Sequence, residues 1–165
     1  MLTGPKIRPV AVTQVAYEVD GWGVGELWLE NGVVVWHELP HPSHVARKLG
    51  TSPLVERLQT YFAGEEVSFE DVPVDLVHET PFLDRCALAL REIPRGEVVT
   101  YGELAALAGA PGAARAAGSF CARNRLGLFV PCHRVVSAGG LGSYGSYGVA
   151  YKKRLLQLEG ALGAL

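Results

Sequence analysis

Residues 129–136 read FVPCHRVV, an apolar run and a proline that deliver a cysteine, a histidine and an arginine side by side. A thiol becomes a nucleophile when its thiolate is stabilised by a neighbouring base or by positive local potential. Cys132 has both on offer, because His133 and Arg134 follow it within a stretch that contains no acid. Neighbours in sequence often point apart, so two readings stand open: an activated nucleophile, or an inert buried thiol. Cys86 on the apolar face of one helical segment and Cys121 in an alanine-rich one read as core. His37, His41 and His44 raise the question of a metal. Pro40 and Pro42 break any helical register there, and no cysteine or paired carboxylate completes four ligands, so no metal site is expected. The glycine-rich run at 139–148 lacks both GxGxxG and the Walker lysine pattern, and reads as a flexible wing.

The charges are segregated. The chain of 165 residues has a net charge of −2, which by itself speaks against a nucleic-acid partner. Residues 1–103, however, hold 16 acidic and 8 basic side chains, whereas 104–158 hold no acid and seven bases: Arg115, Arg123, Arg125, Arg134, Lys152, Lys153 and Arg154. Glu159 is the only acid after Glu103. Such a basic stretch creates a field suited to an anionic partner, or else a solvated face without a ligand. Composition, with 48% apolar and 19% charged residues, is that of a soluble globular chain of one medium or two small domains. The N-terminus, MLTGPKIRPVAVTQ, has no apolar core of signal-peptide length, and no run approaches the ~20 apolar residues of a membrane helix. Three cysteines without a CxxC leave one over, so a reducing cytoplasm is expected rather than a disulfide framework.

The elements that must position Cys132 are legible in outline. VAVTQVAYEV and VGELWLENGVVVWHEL read as strands, with Asn31-Gly32 as a hairpin turn. SPLVERLQTYFAG reads as a helix capped by Ser52, with Leu54, Leu58, Tyr61 and Phe62 on one face. EEVSFEDVPVDLVHE is acidic and proline-broken, a linker or edge strand, and places a domain boundary near residues 74–79. TPFLDRCALALREI, TYGELAALAG with Thr100 and Glu103 in capping-box spacing, and GAARAAGSFCARN then read as helices. The last two, joined by a Gly/Pro turn, outline a helix-turn-helix. LGLFVP reads as a short strand into the cysteine, and VAYKKRLLQLEG as an amphipathic helix ending at Gly160. The expected fold class is α+β: an N-terminal α/β supporting domain with antiparallel strands (1–76), and a mainly helical, winged helix-turn-helix-like domain (77–165).

The segment IPRGEVVTYGELAALAGAPGAARAAGSFCARNRLGLFVPCHRVV, followed by KKRLLQLEG, resembles the O6-alkylguanine–DNA alkyltransferases. The similarity covers roughly residues 79–160, with PCHRV its most specific element; YFAGEEVSF matches more loosely. The resemblance implies stoichiometric, irreversible transfer of an alkyl group from O6-alkylguanine, with O4-alkylthymine as a further substrate, to Cys132. It implies a flipped base, double-stranded DNA approached through the minor groove, a monomeric protein and no cofactor. His133 would take the thiol proton through a water, oriented by Glu159, and Asn124 would brace the active-site turn. Arg115 would enter the base stack, Tyr101 would crowd the phosphate, and Ala116 and Gly118 would let the helix lie close to DNA. Arg123 and Arg125 would meet phosphates; Arg125 stands where the family commonly has proline. Val135 and the loop tyrosines Tyr144 and Tyr147 would form the base pocket, and which of the two tyrosines lines it stays open. Arg134 reads as structural. The competing readings are an alkyltransferase-like protein that binds the lesion without transfer, in which the cysteine is typically replaced, and a thiol hydrolase using Cys132 and His133.

Overall fold

The computed structural model describes residues 11–46 and 48–162. The expectations for residues 1–10 lie outside the described residues. Strands β1 (Val12–Val19), β2 (Gly23–Glu30) and β3 (Val33–His41) form an antiparallel sheet in that order. The β2–β3 turn is built on Asn31 and Gly32, both at positive φ (50° and 80°), the conformation a tight two-residue hairpin needs. Helix α1 (Pro53–Phe62) begins where the Ser52 side chain accepts from the Val55 N–H, and it buries Val55, Leu58, Tyr61 and Phe62. The acidic segment after it does run along a sheet edge: the Val34 N–H donates to Pro73 O, and the Asp75 N–H donates to Val34 O.

Thr80 caps α2 (Pro81–Arg91), which turns Cys86, Ala87 and Leu90 inward. The capping box of Thr100 and Glu103 opens α3 (Tyr101–Leu107), and α4 (Ala114–Ala122) packs against it as the helix-turn-helix outline requires. A two-residue parallel pair, β4 (Val99–Thr100) with β5 (Val135–Val136), ties the start of α3 to the chain just beyond Cys132. Helix α5 (Val149–Leu158) closes the described chain, with Glu159 as its C-cap. One apolar core cluster runs from Tyr17 and Leu58 through Leu90 and Leu104 to Phe129 and Leu155, so both halves share it. Among the described residues, no helix is long and apolar enough to cross a membrane.

LGLFVP is not a strand. Leu126 makes a single bridge to His37, the Val130 N–H turns back to Leu126 O at 2.8 Å, and Leu128 sits at φ 73°. Leu126, Leu128, Phe129 and Val130 are all buried. The run is apolar because a coiled segment fills the core on every side, not because one face of an extended chain does.

Candidate active site

Cys132 opens a single 3-10 turn, Cys132–Arg134, and is 3% exposed. It lies in the wall of a cavity of about 250 Å³, together with Cys121, Asn124, Tyr144, Tyr147 and, from β3, Glu38. Burial pushes the Cys132 thiol well up, and a hydrogen bond with the Cys121 side chain adds to that; Asn124 and the positive charge of Lys152 pull the other way. The resting group is therefore a thiol, and a nucleophile forms only when its proton has somewhere to go.

Behind it lies a buried acid–base pair. The His133 Nε2–H donates to Glu159 Oε2 at 2.9 Å, and both side chains are fully enclosed. Burial disfavours the charge on Glu159, yet His133 and Arg134 together hold its carboxyl far below the usual carboxylate range. Burial lowers the basicity of His133, against the pull of Glu159. A neutral imidazole with its proton on Nε2 leaves the Nδ1 lone pair open, and Nδ1 has no partner among the described residues. That nitrogen can receive a proton. Arg134 grips the same carboxylate with two bonds, Nε to Oε1 at 3.0 Å and an Nη2 to Oε2 at 2.9 Å, and also donates to Ile93 O.

Asn124 stitches the turn: its Nδ2 donates to Val130 O at 2.8 Å and its Oδ1 accepts from the Leu126 N–H at 3.0 Å. The loop after β5 lines the cavity through Tyr144 to Tyr147. Tyr147 accepts from the Leu39 N–H at 3.0 Å and donates to Glu38 at 3.1 Å, while the charge of a Cys132 thiolate would act directly on Tyr144. Both tyrosines line the cavity together with Cys132. Val135 does not line it. It belongs to β5, where it is fully buried, and its carbonyl accepts from Lys152.

On the outer surface Tyr101, Arg115, Gly118 and Ser143 border one shallow open depression beside α4, with Arg115 and Ala116 exposed. Arg123 is exposed, 4.0 Å from Glu79. Arg125 is partly engaged within the protein: it donates to Val35 O at 3.0 Å and pairs with Asp75 at 2.8 Å, holding the turn to the sheet. Arg134, Lys152 and Arg154 are likewise engaged within the protein, Arg154 against Gly21 O and the Trp22 ring. Asp75 and Glu159 offset the charges of Arg125 and Arg134, whereas Lys152 and Arg154 donate to neutral carbonyls and keep theirs. The three histidines diverge: His37 bonds Tyr17 and Gly127, His41 bonds Ser43, and His44 bonds Glu26. Among the described residues no cluster of three or more His, Cys, Asp or Glu side chains could hold a metal.

Residues 81–161 match the family model of the 6-O-methylguanine DNA methyltransferase, DNA binding domain. A methylated-DNA–protein-cysteine methyltransferase of Methanopyrus kandleri is 50% identical over 107 residues, covering 64% of this chain and 77% of the relative. The chain belongs to the methylated-DNA–protein-cysteine methyltransferase family. A member from Mycobacterium bovis is 49% identical over 109 residues, 66% of this chain and 64% of the relative's length. A crystal structure of the Mycobacterium tuberculosis OGT in complex with DNA superposes with a TM-score of 0.75 at 38% identity, covering 88% of this chain and 92% of that one.

Two buried polar residues of this methyltransferase-family chain escape a sequence-level reading. Lys152 is fully buried, donates to Val135 O and, at 3.1 Å, to Ser143 O, and lies 5.7 Å from the centre of the Tyr101 ring. Helical spacing carries the signal: positions 152, 155, 156 and 159 share one face, so Lys152 falls in line with buried Leu155, Leu156 and Glu159. Tyr61 reads as an ordinary core residue of α1, yet its hydroxyl donates to Glu159 Oε2 at 2.6 Å. No local pattern announces a partner 98 residues away.

Proposed function

We propose that this protein repairs alkylated DNA by moving the alkyl group of O6-alkylguanine onto Cys132, once and irreversibly, after the base has been flipped from the duplex. The observation that carries the reading is the order of groups inward from the cavity: the Cys132 thiol at its wall, then His133 with an open Nδ1, then the ionised Glu159. In the proposed step the thiol proton passes to His133 Nδ1, through a water. The sulfur then attacks the alkyl carbon in line, the S–C bond forms as the C–O6 bond breaks, and the guanine leaves with the bonding electron pair. The imidazolium is stabilised by Glu159, as in other nucleophile–histidine–acid sets. A stacked O6 atom is beyond the reach of a thiol in such a cavity, so flipping is required, and we assign the filling of the gap to Arg115, which borders the open depression beside α4. The free thiols of Cys86, Cys121 and Cys132 suit a reducing compartment, and we assign the protein to the cytoplasm.

The test is an intact-mass measurement after incubation with a duplex carrying one O6-methylguanine. A gain of one methylene on the Cys132 peptide, saturating at one equivalent, is expected. Lesion-dependent binding with no change in mass would replace this reading with that of a recognition module.

A further inference from the structure

Glu159 Oε2 is shared by three donors: the Tyr61 hydroxyl at 2.6 Å, His133 Nε2 at 2.9 Å and an Nη2 of Arg134 at 2.9 Å. The bidentate grip of Arg134 already sets the plane of the carboxylate, so orientation alone does not require the phenol. Tyr61 is 1% exposed and arrives from α1, in the half of the chain that carries neither the cysteine nor the helix-turn-helix. Its ring is held edge-on to Phe62, with centroids 5.2 Å apart, and lies under the Arg95 guanidinium at 5.5 Å. Arg95 in turn joins the end of α1 to the end of α5, donating to Gly64 O, Glu65 O and Leu158 O. The Tyr61–Glu159 distance is therefore built in from both sides.

A carboxylate oxygen that accepts a short bond from a phenol carries less charge density toward its other partners. Here the other partner is the Nε2–H of the base. We propose that Tyr61 is a positioning residue for the His133–Glu159 pair: by drawing on the shared Oε2, it weakens the hold of Glu159 on the imidazole and keeps His133 neutral, with Nδ1 ready for the thiol proton. The inference rests on the alkyl-transfer reading and gives the N-terminal half a part in the chemistry beyond support. The other titratable and charged groups that act on the pair are Arg134 from the 3-10 turn, Lys152 from α5 and Tyr144 from the loop after β5. Substitutions at position 61 change none of them.

The experiment uses the full chain and two readouts: NMR titration of the His133 imidazole in unreacted protein, and the pH profile of single-turnover transfer from an O6-methylguanine duplex. Without the phenol, Tyr61→Phe should raise both the His133 midpoint and the acid limb of transfer by about 0.5–1 pH unit. Near the original midpoint this slows transfer about threefold, while the alkaline plateau stays within about twofold. Glu159→Gln should move the midpoint the opposite way and slow transfer at every pH. Should Tyr61→Phe fail to fold, 2,3-difluorotyrosine at position 61 keeps the shape and strengthens the donor, and it should lower the midpoint. An unmoved His133 midpoint in a folded Tyr61→Phe protein, or a difluorotyrosine shift that is zero or upward, overturns the proposal. Absence of transfer by the unmodified protein would defeat the alkyl-transfer reading instead, and the NMR readout does not depend on transfer.

Discussion

The imidazole of His37, on β3, donates from Nδ1 to the carbonyl of Gly127 at 2.7 Å, bridging 90 residues of sequence to the turn that leads into Cys132. Its Nε2 accepts from the Tyr17 hydroxyl at 2.6 Å, and the ring is 3% exposed. The turn beside the cavity is thus pinned to the N-terminal sheet by a buried, neutral histidine.

That arrangement makes stability depend on pH. Burial pushes His37 down from 6.5 to about 4. Below 6.5 the unfolded chain takes up a proton that the folded protein refuses, so the contribution is complete above that pH and is lost as pH falls toward 4. The loss from this site amounts to about 3 kcal/mol. Urea titrations across the window should show it, and His37→Gln should flatten that part of the profile. An equal slope in the variant would mean that the titration resides elsewhere.

Asn124→Ala removes both side-chain bonds that brace the turn before Cys132, leaving the Leu126 N–H without its partner and Val130 O with the Cys132 N–H alone. We expect a loss of about 1–3 kcal/mol in thermal or chemical melts, and slower alkyl transfer, because the sulfur is no longer held at the cavity wall.

Arg115→Ala should leave stability within about 0.5 kcal/mol, since the side chain is exposed. Transfer from duplex DNA should fall far more than reaction with a free O6-alkylguanine base, measured side by side. Equal losses on both substrates would remove Arg115 from the flipping step.

Gly118 is a surface test of close approach. A Cβ built there meets nothing nearer than Tyr101 Cδ1 at 3.9 Å, so the fold itself does not demand glycine. Gly118→Ala should be neutral or stabilising by up to about 1 kcal/mol, as alanine is in a helix interior. Gly118→Leu should still fold, weaken duplex binding in a filter or anisotropy assay, and spare reaction with the free base. Unchanged duplex affinity would show that α4 does not lie against the groove.

Much of this architecture was legible residue by residue. Ser52, Thr80 and the Thr100–Glu103 box mark three helix starts, and Asn31-Gly32 marks the hairpin, because each signal acts within four residues of itself. The candidate cluster was legible too, since a thiol, a base and a lone late acid stand out by type, and the structure joins two of them, His133 and Glu159, by a hydrogen bond. Apolarity, by contrast, misled at LGLFVP, where full burial of a coiled segment looks the same as a strand. The two-residue β4–β5 pair is too short to leave a period.

Sequence by itself therefore determined the helix boundaries and the hairpin, which rest on short-range preference, and through its family resemblance it nominated Cys132 as the nucleophile. Tertiary structure alone decided which charges remain free for DNA and which, like Arg125 and Lys152, are used inside the protein. It also decided that a tyrosine from α1 meets the acid of α5. A contact between residues so far apart is made by the packing of one core against both halves, and packing leaves no mark on the spacing of either partner.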